Sequence, residues 1–314
     1  MLKLKIIDPA AGCGQFILGT IEFVRNKFKR KLSKTKLNQL LKIFAENCLF
    51  VVDLDENAVD LCKIAIWLET GSLISNHYVC ANSLIQPGFK GNTQFLKKGN
   101  YINWADKFPE VFTKKNRGFD IVLGNPPYVS FSGRQAVKLD EQTVKHFKEN
   151  FKIKGWLTTH SLFTELAIKY LSKRFTSFVV PSQVSHLAGY KDLRELLEQN
   201  TEINDIKHWG ENVFPDACTP AMTFITENKK RTENSQEKHV LWFANTKNSL
   251  LEKISQNCFY LDKLVADPGV HTGNCSKKLI KTNQSECDNC FPVLEGKQVS
   301  RYTVSYTHLR AHET

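Results

Sequence analysis

The 314-residue sequence predicts an α/β fold: a doubly wound, largely parallel sheet with helices on both faces. Three observations carry this prediction. Short apolar runs of strand length recur along the chain, with stretches of helical periodicity between them. The runs before Asp8, Asp53 and Gly124 each close on the residue types that begin a tight turn. No run of eighteen apolar residues occurs, so no membrane span is expected.

In order, Leu4 to Ile7 reads as a buried strand ending at Asp8, and Phe16 to Phe28 as a helix after the glycines at 12 and 14. Thr35 to Asn47 is a second helix, with Leu37, Leu40, Leu41 and Phe44 on one face. Leu49 to Asp53 is the next strand. Asp55 caps the helix that follows, whose apolar stripe is read as Ala58, Leu61, Cys62, Ala65 and Leu68. Phe119 to Leu123 is a strand, Ser161 to Leu171 a helix, Ser177 to Val180 a strand closed by Pro181, and Tyr190 to Gln199 a helix. Ile203 to Trp209, Ala221 to Thr226 and Val240 to Ala244 complete the strands. In such sheets ligands sit beyond the carboxyl ends of the strands.

Composition sets outer limits. The hydrophobic fraction of 41% and charged fraction of 24% suit a globular domain. The opening MLKLKIID reads as strand rather than as a secretory leader, which implies a cytoplasmic protein. Nine cysteines fit reduced thiols, with Cys13, Cys48, Cys62 and Cys80 filling core space. The net charge is +11, and Arg25 to Lys42 carries eight basic residues and no acidic one. That run fits either a solvated helix face or a phosphate-contacting patch.

Three sites carry chemistry. The turn Asp8-Pro9-Ala10-Ala11-Gly12-Cys13-Gly14-Gln15-Phe16 lets backbone approach a ligand, a pattern that also serves plain turns. Asp53, in Val52-Asp53-Leu54-Asp55, stands where a carboxylate accepts from ribose hydroxyls; helix capping is the other use of an acid there and suits Asp55 better. The most specific is Phe119-Asp120-Ile121-Val122-Leu123-Gly124-Asn125-Pro126-Pro127-Tyr128. The lone pair of an adenine amino group is delocalised into its ring. The Asn125 side-chain oxygen and the Pro126 carbonyl can each accept one of its hydrogens and localise that pair. The prolines fix both acceptors, and Tyr128 offers a flat face to an extruded base.

Together these motifs resemble the amino-methyltransferase family, in particular the adenine-specific DNA enzymes of Type IIG-like restriction–modification systems. The resemblance runs from Ile7 to about Thr226. DPAAGCGQF is similar to the family's cofactor loop, VVDLDENAVDLCKIAIWL to its ribose-binding strand and helix, and FDIVLGNPPYV to its catalytic NPPY signature. FVVPSQV and GENVFPDACTPAMTFI resemble two later segments. The resemblance implies a Rossmann-like methyltransferase sheet, S-adenosyl-L-methionine as cofactor and DNA as partner, with no membrane and no obligatory metal. It assigns Asp8, Pro9, Ala10, Gly12, Gly14, Phe16, Asp53, Leu54 and Asn82 to cofactor binding. Asn125, Pro126, Pro127 and Tyr128 become catalytic, with Phe214 on the other face of the flipped base. Asn82, in Ala81-Asn82-Ser83-Leu84, replaces the family's usual aspartate; an amide can still accept from the cofactor's adenine amino group.

The short signature is shared with RNA and protein-glutamine methyltransferases, and the later segments favour DNA. A fragment that binds cofactor or DNA without catalysis is the other reading. We expect residues 1–245 to form the catalytic domain, 246–304 to begin a target-recognition domain, and 305–314 to be a non-native tail. The family's segment ahead of the first strand has no counterpart, so the chain reads as truncated at its front. A restriction nuclease, covalently linked or separate, is expected of the intact system. His271, Cys275, Cys287 and Cys290 contain one C-x-x-C and fit either a zinc site or a loop.

Overall fold

The computed structural model describes residues 2–72, 76–85, 101–114, 117–131, 136–210, 219–228 and 242, together with five short strands beyond residue 279. The chain divides into two compact units, Met1–Leu251 and Glu252–Thr314.

In the first unit β1 (Ile6–Asp8) leads through a glycine turn to α1 (Gln15–Phe28), and α2 (Lys34–Cys48) runs directly into β2 (Leu49–Asp53). α3 (Glu56–Thr70) and β3 (Tyr78–Cys80) follow, then the single turn α4 (Trp104–Lys107) and β4 (Phe119–Gly124). The next elements are α5 (Glu141–Asn150), α6 (Thr159–Leu166), β5 (Ser172–Pro181), α7 (Lys191–Asn200), β6 (Glu202–Gly210) and β7 (Ala221–Glu227). The seven strands form one sheet in the order β3-β2-β1-β4-β5-β7-β6, in which β7 runs antiparallel to both its neighbours and the other described pairs are parallel. The α/β expectation therefore holds.

Strand alternation shows why both faces are covered. Ile6, Leu49 and Val51 point into one core with Ile17 and Ile21 of α1, Leu41 and Phe44 of α2, and Val59 and Ile66 of α3. Ile7, Phe50, Val52 and Val122 point into the other with Phe147 of α5, Leu162 and Phe163 of α6, and Leu193 of α7. Each fully buried Ile, Leu or Phe contributes roughly 1.5–3 kcal/mol of transfer free energy. Removing side chains of this size from the second core costs more than the lost area alone, because a cavity remains.

Several boundaries and faces differ from expectation. α3 buries Val59, Cys62, Ile66 and Thr70, while Leu61 and Leu68 are 54% and 70% exposed. Its sequence is apolar around most of the helix, so periodicity could not choose the inward face. Asp55 does cap it, accepting from the Asn57 amide at 3.0 Å. The helix expected over Ser161 to Leu171 begins at Thr159 and loosens into a π-helical turn over Ala167–Leu171. β5 starts five residues earlier than predicted, because its polar first half, Ser172 to Thr176, still pairs with Phe119 to Val122. Cys48 and Cys62 are fully buried as expected, but Cys13 is exposed, since it sits on the turn between β1 and α1. The strand expected at Val240 to Ala244 lies outside the described residues except for Trp242, which is in a turn.

In the second unit β8 (Ile280–Lys281), β12 (Arg310–His312) and β9 (Cys290–Pro292) form an antiparallel sheet in that order, and β10 (Val299–Ser300) pairs with β11 (Thr303–Val304). Part of the segment 305–314 is thus strand-paired.

Candidate cofactor and target site

The carboxyl ends of β1, β2, β3 and β4 surround a cavity of about 380 Å³. Pro9, Ala10 and Gly12 from the first turn, Asp53 and Leu54 from the second, Asn82 from the third, and Asn125 and Pro127 from the fourth all line it. Residues separated by more than a hundred positions in sequence are therefore brought to one wall. Ala81, Ser83, Leu84, Val129, Phe131, Leu139, Phe147, Thr159 and Phe163 complete the lining, and none of these was singled out from the sequence.

Asp53 organises the two loops nearest it. Its Oδ2 accepts from the Gly12 amide at 2.7 Å and its Oδ1 from the Asp55 amide at 2.9 Å. A carboxylate held this way keeps further lone pairs for a ligand hydroxyl. We expect Asp53→Ala to weaken cofactor binding by about 1.5–3 kcal/mol, the range of a lost hydrogen bond to a charged group. Isothermal calorimetry measures it, and an unchanged dissociation constant would remove Asp53 from the ribose contact. The third loop is tied to the first by Ser83, whose Oγ donates to the Pro9 carbonyl at 2.6 Å. Asn82 Oδ1 already accepts from the Leu84 amide at 2.9 Å. An amide oxygen has a second lone pair, so this bond is compatible with the acceptor role expected of Asn82.

Asp8, Gly14, Phe16, Pro126 and Tyr128 do not line the cavity. Asp8 is 1% exposed and lies beneath the turn, where its Oδ1 accepts from the Ala10 amide at 3.1 Å and its buried Oδ2 has no partner. Gly14 has φ +84°, and a Cβ there would lie 2.3 Å from the Cys62 sulfur, so this glycine serves close helix–helix packing. Phe16 faces a separate apolar cleft formed by α1 with Ile121, Leu123 and Val179, because the first turn of α1 carries it past the edge of the cavity. Gly12, at φ +52°, has open space where a Cβ would stand, which lets a ligand approach its backbone.

Burial pushes the Asp8 carboxyl up to about 7; the Ala10 amide opposes the rise and the Asp53 charge adds to it. Unfolded, the group titrates near 3.8. Between about pH 4 and 7 the folded state thus holds a proton that the unfolded chain has released. Stability from this group is fully present below the unfolded value and is lost as pH rises through the folded one. Asp8→Asn cannot ionise, so its urea midpoint relative to the parent should rise from about pH 5 to about pH 8. A constant difference across that range would mean that Asp8 is compensated in the folded protein.

At the fourth strand end, Asn125 Oδ1 is buried with no hydrogen-bond partner. Pro126 is buried and Pro127 exposed. The Tyr128 hydroxyl is also buried without a partner, and burial raises it to about 12. Its ring meets His160 edge-on at 5.7 Å. Burial lowers His160 to about 3, so it stays neutral and acts as an aromatic wall. Phe214, expected on the far face of a base, lies outside the described residues, as do His271, Cys275 and Cys287; for Cys290 only the backbone is described. Among the described residues no group of three or more His, Cys, Asp or Glu side chains could hold a metal, and no described helix is long and apolar enough to cross a membrane.

The sheet order, with its antiparallel seventh strand and a cavity walled by the first four strand ends, defines a Rossmann-like α/β domain. The profile of the Eco57I restriction-modification methylase family matches residues 47–214. The chain belongs to that family. The match begins at the end of α2 and includes Asn125 to Tyr128, while the turn at Asp8 precedes it. The chain is 24% identical over 258 residues to the Type II restriction enzyme and methyltransferase RM.Eco57I of Escherichia coli, covering 74% of this chain and 25% of that protein. It thus spans about a quarter of the curated relative. Its fold is similar to a modification subunit of a putative type I restriction enzyme from Vibrio vulnificus YJ016, at TM-score 0.50 and 17% identity, over 90% of this chain and 53% of the other. The ATP-dependent Type ISP restriction-modification enzyme LlaBIII, solved bound to DNA, gives TM-score 0.52 and 13% identity over 73% of this chain and 17% of its own.

Proposed function

We propose that residues 1–245 are the catalytic domain of an S-adenosyl-L-methionine-dependent DNA methyltransferase of a restriction–modification system, acting on the exocyclic N6 amine of an adenine swung out of the duplex. Residues 246–304 begin its target-recognition domain. The observation that carries this reading is the buried, unpartnered Oδ1 of Asn125, on the wall of the cavity that the first three loops enclose. A buried acceptor without a donor is costly, and a ligand amine would satisfy it.

The residues present fit the cofactor: a carboxylate for ribose hydroxyls, an open glycine backbone and an asparagine amide beside an apolar wall. When bound, S-adenosyl-L-methionine supplies a sulfonium methyl group. Asp53 accepts from the ribose, and Asn82 Oδ1 accepts from the amino group of the cofactor's adenine. Leu54, Leu84 and Phe147 exclude water around it. Asn125 Oδ1 and the Pro126 carbonyl accept the two hydrogens of the target amine and draw its lone pair out of the ring. Tyr128 and Phe214 sandwich the target base. No covalent enzyme intermediate is needed, since orientation and preorganised acceptors supply the rate.

The basic run from Arg25 to Lys42 spans the end of α1, the following turn and most of α2. α1 starts at the glycine turn and leads away, so Arg25 lies about 15 Å further along the helix axis. Arg25 is ion-paired with Glu69, and Lys29 donates to Asn26. To test the function, the chain is given cofactor labelled on its methyl group together with unmethylated DNA, RNA or protein. Label is expected in DNA, recovered as N6-methyladenine. Label confined to RNA or protein, or none on any acceptor despite cofactor binding, would overturn the proposal.

A further inference from the structure

We propose that Thr159 is a positioning residue that closes the catalytic turn; the inference rests on the reading of Asn125 to Tyr128 given above. The Thr159 Oγ1 accepts from the Val129 amide at 3.0 Å and donates to the Pro127 carbonyl. One hydroxyl therefore spans Tyr128, holding the backbone on both sides of it. The Thr159 amide also donates to the Val129 carbonyl at 2.9 Å, and the Phe131 amide to the Leu157 carbonyl at 2.9 Å. These bonds make a short antiparallel strip between the exit of the turn and the start of α6.

Strand β4 fixes the entry of the turn, and Thr159 fixes its exit. With the Pro127 carbonyl occupied by this hydroxyl, the Pro126 carbonyl and Asn125 Oδ1 are the acceptors assigned to the target amine. The segment that carries Thr159 is itself rigidly held. Glu165, 3% exposed, accepts from the Lys152 and Ile153 amides at 2.8 and 3.0 Å. Asp192 accepts from the Lys154 and Gly155 amides at 3.1 and 3.0 Å. The neighbouring residue, His160, backs the Tyr128 ring. A displacement of the turn by about 1 Å is enough to cost a factor on the order of 10² in rate.

Thr159→Val keeps the shape and removes the hydroxyl, leaving the Val129 amide and Pro127 carbonyl unpaired. Two readouts are compared across the parent, Thr159→Val and Thr159→Ser. Methyl transfer to unmethylated genomic DNA should fall about 10–100-fold in kcat for Thr159→Val, with the KM for cofactor changed less than about twofold. Hydrogen exchange at the Val129 amide should speed up by about tenfold or more, whether or not the chain turns over. Thr159→Ser, which retains the hydroxyl, should restore both. An unchanged Val129 exchange rate in Thr159→Val, or a loss that Thr159→Ser shares in full, overturns the assignment. Asn125→Ala is measured beside them: if it methylates at the parent rate, the turn itself is misassigned and the clamp's role in catalysis goes with it. If it is inactive while Thr159→Val keeps the parent kcat, only the clamp is wrong.

Discussion

Asn125→Ala is expected to lose methyl transfer by about 10²–10³-fold or more while its affinity for cofactor stays close to the parent's. The split follows from geometry. The proposal assigns cofactor contacts to Asp53, Gly12 and Asn82, whereas Asn125 Oδ1 is buried without a partner in the folded chain. Removing it leaves loops and sheet untouched and deletes an acceptor that acts on the amine. Single-turnover kinetics with labelled cofactor, alongside calorimetric titration, separates the two effects. Parent-level transfer by this variant would move catalysis away from the fourth strand end. A large loss of cofactor affinity would instead make Asn125 part of the binding wall.

The second large effect is expected at Gly124, one residue earlier. A Cβ there would lie 2.5 Å from Asp8 Oδ1 and 2.9 Å from its Cγ, at a φ of +156° that side chains rarely adopt. Asp8 is buried and cannot swing away. Strained backbone costs about 1–3 kcal/mol and overpacking a similar amount. Gly124→Ala should therefore destabilise the domain by about 3 kcal/mol or more, read as a lowered urea midpoint with an unchanged slope. A loss below about 1 kcal/mol would mean that the first and fourth strand ends are not in the close contact described.

The placement of the site was legible because buried parallel strands are short apolar runs, and each ends on residues that cannot continue a strand. Asp53 and Asn125, both on the cavity wall, mark two of these ends, and Asp8, beneath the first turn, marks a third. Three things were hidden. α3 is apolar on nearly every side, so its pattern could not reveal that Leu61 and Leu68 face outward. β3 is three residues long, too short for any alternation to register. The cavity wall from Phe131, Leu139 and Phe147, and the Thr159 hydroxyl thirty residues beyond the turn it holds, depend on non-local pairing between 129–131 and 157–159. Such pairings leave no period in the sequence.

The position of β1 inside the sheet, between β2 and β4, has a consequence in time. Ile6 pairs with Leu49 on one side and with Ile121 on the other, and the Lys5 amide donates to Asp120 across 115 residues. At about 5–20 residues per second, the ribosome takes on the order of 6 to 20 seconds to deliver the second neighbour after the first strand emerges. Through that interval Ile6 and Ile7 lack one flank, and the unpaired strand edge is open to other nascent chains. Topology that gathers four distant loops around one cavity thus delays the closing of the sheet until the fourth strand has been made.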